Sequence, residues 1–222
     1  MRIDAVIFDL DGTLIDSMGV WEDVDKVFLG RRNIEVPDDL FEDMSAGNNF
    51  QGLALHFKER FALPDSVEEI MEEWTEQVVD YYLHHIPVKE GAVKILQYLK
   101  DNSIPMAIGT SNSLFLTESV LNRHEILPYF RHIVTGAEVD CGKPFPDIYL
   151  KVAQLLGVSP QFCLVLEDSL QGVQAGKSAG MRVIALRDEF SRREFDLIKA
   201  EADHFMDDFQ QVLNWIKENI EV

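Results

Sequence analysis

Two carboxylates one residue apart, Asp9 and Asp11, follow directly on the apolar run Ala5-Val6-Ile7-Phe8, and Gly12 breaks the chain immediately afterwards. A lone acid in such a place reads as a turn residue or a helix N-cap. A pair of acids at the end of a buried strand is costly unless a cation or a substrate uses them. A calcium loop is a poor fit, because the acid spacing and the distal Glu of that loop are missing. A second pair, Glu167-Asp168, ends the apolar run Cys163–Leu166, so acids close two different candidate strands. The chemistry indicated is that of an anionic centre that receives a cation.

The elements that must position these acids alternate along the chain. Short apolar runs at 5–8, 106–108, 133–134, 163–166 and 183–186 are bounded by Gly, Pro or Asp. Segments of helical period lie between them at 93–99, 114–121, 149–156 and 173–179. The runs show no polar alternation, as expected of strands covered on both faces. The pattern predicts an α/β fold with a doubly wound parallel sheet. In such sheets ligands sit beyond the carboxyl ends of the strands, where Asp9 falls.

One stretch breaks the alternation. Residues 16–86 offer helical patterning only, at 20–28, 53–61 and 70–83, with Ser66-x-x-Glu69 as a capping box. That is too long for a βα loop. It predicts an α-helical cap inserted into a Rossmann-like core formed by 1–15 and 87–222. The connections near 16–18 and 86–89 would act as hinges, and the cap as a lid that excludes water.

"FDLDGTL" resembles the first motif of the haloacid dehalogenase-like hydrolase superfamily, and three further motifs follow in order: "IPMAIGTSNS" ending a strand at Thr110, "GKPFPDIY" with Lys143, and "CLVLEDSLQGVQAGKSAGM" with Glu167 and Asp168. The position and length of the insert are similar to the cap of the β-phosphoglucomutase-like branch. The resemblance implies that Asp9 is both a metal ligand and the nucleophile that forms an aspartyl-phosphate. It implies that Asp11 offers its backbone carbonyl to the metal and its side chain as general acid and base. Asp168 becomes a further ligand, and Glu167 a ligand either directly or through water. Thr110 would place a hydroxyl on the phosphoryl group, with the backbone N–H groups of Ser111 and Asn112 opening a helix beside it. Lys143, fixed between Gly142 and Pro144, would hold nucleophile and phosphate. A phosphate monoester is a dianion, so the implied cofactor is Mg²⁺, which prefers oxygen ligands and lets the carboxylate approach.

Within the superfamily, Asp11 argues against a dehalogenase, which needs no metal. A sugar-phosphate mutase of the β-phosphoglucomutase type holds a second phosphate with a basic residue after a cap Gly. Here Phe50 of "SAGNNFQ" stands at that place, and Trp21 stands where those mutases carry a cap His. The expected activity is therefore phosphatase, with the mutase as alternative and a non-catalytic binding protein as the remote one. Trp21, Asn48, Asn49 and Phe50 are the candidate substrate contacts of the cap; they suit a sugar or nucleoside. The segment "RHEILPYFRHIVTGAEVDCGKPFPDIYL" is similar to the pseudouridine-5′-phosphatase type.

The bulk numbers agree with a small phosphorylated metabolite as partner. A net charge of −19 opposes nucleic acid and anionic membranes. No run of about 18 apolar residues exists. The two cysteines, Cys141 and Cys163, form no CxxC or Cys/His cluster. A cytoplasmic monomer with reduced thiols is the expectation.

Overall fold

The computed structural model describes residues 2–37, 40 and 50–219, apart from the side chains of Trp21 and Phe50. The chain divides into two compact units, Met1–Ser17 with Ile86–Val222, and Met18–His85.

The first unit is built on a parallel sheet. Its strands are β1 (Ala5–Phe8), β2 (Met106–Thr110), β3 (Phe130–Thr135), β4 (Cys163–Glu167), β5 (Arg182–Leu186) and β6 (His204–Met206), in the order β3-β2-β1-β4-β5-β6. Every pairing among them is parallel. β1, β2 and β4 are buried at every residue, which explains their unbroken apolar runs. The predicted fold class holds. The apolar pattern does not predict β6, which has three residues and sits at the sheet's edge.

The helices of this unit cover the sheet. α6 (Asp147–Leu156) and α7 (Leu170–Ser178) bury Tyr149, Val152 and Val173 against Ile7, Ala107 and Val165 in one apolar cluster. α4 (Ala92–Asp101), α5 (Leu114–Arg123), α8 (Phe195–Glu201) and α9 (Phe209–Asn219) complete the set. α4 buries Ile95, Leu96 and Leu99, and α9 buries Phe209, Val212 and Ile216; each row follows the helical period.

The second unit contains α1 (Met18–Arg31), α2 (Phe50–Arg60) and α3 (Val67–His84). Its core is aromatic: Trp74 meets Phe28 at 5.5 Å and Phe57 at 4.9 Å between ring centroids, both edge-on. Arg32 lies 3.8 Å over the Phe28 ring and bonds Asp65 and Glu73. Ser66 and Glu69 make both hydrogen bonds of the capping box that opens α3.

The strand order reverses between β1 and β4: after β1 the chain passes to β2 on one side, and later to β4 on the other. The Asp9 amide donates to the Leu166 carbonyl at 2.9 Å and ties the two strand ends together. That switch point is where a ligand crevice is expected.

Candidate active site

β1 delivers Asp9 to the switch point, and β4 delivers Glu167 and Asp168. These three carboxylates are buried, and each offers an oxygen within 4.8 Å of the others. Such a set is stable only if charge neutralises it. Lys143, from the loop before α6, supplies part. Its Nζ lies 2.5 Å from Asp9 Oδ1 and 2.5 Å from Glu167 Oε1.

The turn after β1 is shaped for this cluster. Gly12 has φ of +78°, and a Cβ there would stand 2.3 Å from Asp168 Oδ2. Only a glycine allows the chain to pass that carboxylate in this conformation. Thr13, fully buried, donates through Oγ1 to Asp168 Oδ1 at 2.7 Å.

Asp11 faces a different set of partners. Its Oδ1 accepts from Ser17 Oγ at 2.7 Å and its Oδ2 from Asn112 Nδ2 at 2.9 Å. Asn112 is remote in sequence, so the carboxyl is oriented by the fold and not by its own loop alone. Thr110 is buried at the end of β2, and its hydroxyl accepts from the Asn112 amide at 3.0 Å. One expectation needs correcting here. The helix after β2 does not open at Ser111 and Asn112: its N-cap is Ser113, whose side chain accepts from the Leu116 amide. Asn112 turns inward to Thr110 and Asp11, and Ser111 is exposed.

Electrostatics follow burial. Burial pushes the Asp9 carboxyl up to about 8, although the Lys143 charge acts against it. Burial, then the Glu167 and Asp9 charges, hold Asp168 well above the ordinary carboxylate range. Burial also opposes ionisation of Glu167, but Lys143 and the hydrogen bonds outweigh it and bring that group below its usual value. Thus protein groups alone do not fully compensate the charge that Asp9 and Asp168 carry when ionised. Hard oxygen donors with uncompensated charge suit a divalent cation such as Mg²⁺.

The structure therefore brings together Asp9, Asp168, Glu167 and Lys143, with Asp11, Thr110 and Asn112 in a linked network. Asn48 and Asn49 lie outside the described residues, as do the side chains of Trp21 and Phe50. Sequence reasoning does not single out Thr13, Ser17, Tyr149 or Ser169. Thr13 has a signal in its place beside Gly12, and Ser169 in its N-cap position before α7. Tyr149 and Ser17 meet their carboxylates only through the fold.

The family described as haloacid dehalogenase-like hydrolase matches residues 3–180. The chain belongs to this family. It is 35% identical over 190 residues to hexitol phosphatase A of Escherichia coli K12, covering 84% of each chain. It is 32% identical over 193 residues to a probable pseudouridine-5′-phosphatase of Drosophila melanogaster, covering 84% of this chain and 83% of that one. A bifunctional riboflavin kinase/FMN phosphatase of Arabidopsis thaliana is 33% identical over 191 residues, or 82% of this chain; the chain spans about half of that protein, 48%. Among solved structures, a putative β-phosphoglucomutase from Thermotoga maritima superposes with a TM-score of 0.80 at 27% identity, covering 98% of this chain and 100% of that one. The fold and the phosphatase character of the relatives agree with the sequence reading, and the chain is a hydrolase of this phosphatase-rich family. No helix among the described residues is long and apolar enough to cross a membrane.

Proposed function

We propose that the chain is a Mg²⁺-dependent phosphatase that hydrolyses a small phosphate monoester of a sugar, sugar alcohol or nucleoside through an aspartyl-phosphate on Asp9. The observation behind this reading is the set of three buried carboxylates at the β1/β4 switch point, two of which share the Lys143 ammonium. The relatives named as phosphatases support it over the mutase alternative.

Asp9, Asp168 and the backbone carbonyl of Asp11 would hold the cation. When bound, Mg²⁺ neutralises charge on the substrate dianion and polarises the phosphoryl group. The remaining work belongs to side chains. Asp9 attacks phosphorus, so an Asp9 O–P bond forms as the ester P–O bond breaks. Asp11, oriented by Ser17 and Asn112, gives a proton to the departing alkoxide. In the second step Asp11 takes a proton from water, the water oxygen bonds phosphorus, and the Asp9 carboxylate is released with inorganic phosphate. Thr110 and Lys143 hold the phosphoryl oxygens and stabilise their charge. Trp21, Asn48, Asn49 and Phe50 are assigned to the choice of alcohol; Phe50→Arg should then change relative kcat/KM among substrates.

The test is turnover of p-nitrophenyl phosphate, hexitol and hexose phosphates, pseudouridine 5′-monophosphate and a hexose bisphosphate with Mg²⁺. Release of phosphate that EDTA stops, and that Asp9→Asn lowers by at least about 10³-fold with the fold intact, is expected. No EDTA-sensitive turnover would favour a non-catalytic binding protein. Conversion of a hexose 1-phosphate into the 6-phosphate, primed by the bisphosphate and without net release of phosphate, would favour the mutase.

A further inference from the structure

The oxygens of the three clustered carboxylates are not equivalent. Glu167 Oε1 accepts from Lys143 Nζ at 2.5 Å and from Tyr149 Oη at 2.7 Å. Its Oε2 accepts from the Asp168 amide at 2.9 Å, the Ser169 amide at 3.1 Å and the Ser169 hydroxyl at 3.1 Å. A carboxylate offers about four lone-pair directions. Lys143 and Tyr149 fill the two directions of Oε1, and three donors share the two of Oε2, which leaves none for a cation. Glu167 also has no room to turn: it is fully buried, and a Cβ on Gly172 would lie 1.8 Å from its Oε1.

Asp9 and Asp168 differ from it. Asp9 Oδ1 accepts from Lys143, and Asp168 Oδ1 accepts from Thr13. Among the described residues, no donor reaches the Oδ2 of either. Each therefore keeps one oxygen for a ligand.

We propose that Tyr149 is a positioning residue whose hydroxyl completes the saturation of Glu167, so that Glu167 anchors Lys143 without ligating the cation and, among the three carboxylates, leaves coordination to Asp9 Oδ2 and Asp168 Oδ2. A buried tyrosine needs a partner for its hydroxyl, and here the partner is Glu167. The Tyr149 ring also lies 5.1 Å from Lys143 Nζ and steadies the same ammonium. Tyr149 sits on α6, whose packing on the sheet core places the hydroxyl without any loop.

The inference rests on the metal-site reading above, and the experiment separates the two. Mn²⁺ binding to the full chain is followed by electron paramagnetic resonance, with Mg²⁺ as competitor. Asp168→Asn should weaken binding by at least about 100-fold. Wild-type affinity in that variant would overturn the site itself. Glu167→Gln should stay within about tenfold of wild type; a loss equal to that of Asp168→Asn would overturn the anchor role. Tyr149→Phe keeps the Glu167–Lys143 pair and the ring beside Lys143 but leaves one lone pair of Glu167 Oε1 open, so Mn²⁺ binding should tighten by about threefold or more. A merely structural tyrosine would leave binding unchanged or weaken it, and either result overturns its assignment. A crystal structure with Mg²⁺ gives an independent answer if Glu167→Gln does not fold. Glu167 oxygens beyond the coordination shell are expected, and a Glu167–Mg²⁺ distance of about 2.1 Å overturns the proposal.

Discussion

The Lys143 ammonium stands 2.5 Å from Asp9 Oδ1, with both side chains less than a tenth exposed. The same ammonium touches Glu167 at 2.5 Å, so one cation from the loop before α6 joins the ends of two strands. Removing it leaves two buried carboxylates without their counter-charge. Lys143→Met should lower unfolding free energy by about 3–5 kcal/mol, read by urea denaturation. It should also cut kcat/KM by about 10²–10³-fold, the usual loss for a charge-stabilising donor. Turnover near wild type would place Lys143 outside the chemistry.

Gly172 gives a steric counterpart. It lies in the first turn of α7, where space is short: an added Cβ would meet Glu167 Oε1 at 1.8 Å, Cδ at 1.9 Å and Oε2 at 2.3 Å. Gly172→Ala must move either the helix or the carboxylate, at about 1–3 kcal/mol or more. Gly30 serves as the comparison, because a Cβ there meets nothing within 4 Å. Gly30→Ala should be neutral or stabilise by up to about 1 kcal/mol. Equal melting temperatures for the two variants would contradict the close approach.

Thr13 tests orientation rather than charge. Its hydroxyl is the donor to Asp168 Oδ1 at 2.7 Å, and both groups are buried. Thr13→Val keeps the shape and removes the donor. Divalent-cation affinity should fall by about 10–100-fold, as for loss of other groups that orient a metal ligand. Calorimetric titration with Mn²⁺ measures this, and an unchanged dissociation constant would show that the loop alone holds Asp168.

The legibility of these features in the sequence tracks their physical origin. β1, β2 and β4 are readable because strands buried on both faces need unbroken apolar runs, and the polar residues at their ends stand out against that background. β6 is not, because His204-Phe205-Met206 is too short to show a period. The capping box at Ser66 and Glu69 is readable because it is a local bond between residues three apart. The contacts of Tyr149 with Glu167, of Ser17 with Asp11 and of Asn112 with Asp11 are not, since each depends on how the chain is folded back on itself. "TSNS" holds several residues able to cap, so its pattern predicts a helix start ahead of Ser113, and only the fold shows Asn112 committed elsewhere.

Asp25 is likewise not singled out by the sequence, being one of three acids in "WEDVDK". In the helical unit it is 4% exposed. Burial, with Glu22 adding to it, pushes its carboxyl up to about 7. An unfolded Asp titrates near about 3.9. Between those values the folded chain holds a proton that the unfolded chain has lost, so stability falls as pH rises from about 4 to about 7 and is level beyond. The full penalty is of the order of 4 kcal/mol. Asp25→Asn removes this titration. The unfolding free energy of the variant minus that of wild type should therefore increase by a few kcal/mol between about pH 4.5 and about pH 8, whatever the amide itself costs. Urea denaturation of both proteins at the two pH values measures that difference. A difference that does not change with pH would show that Asp25 keeps its charge in the folded helix, solvated despite its position.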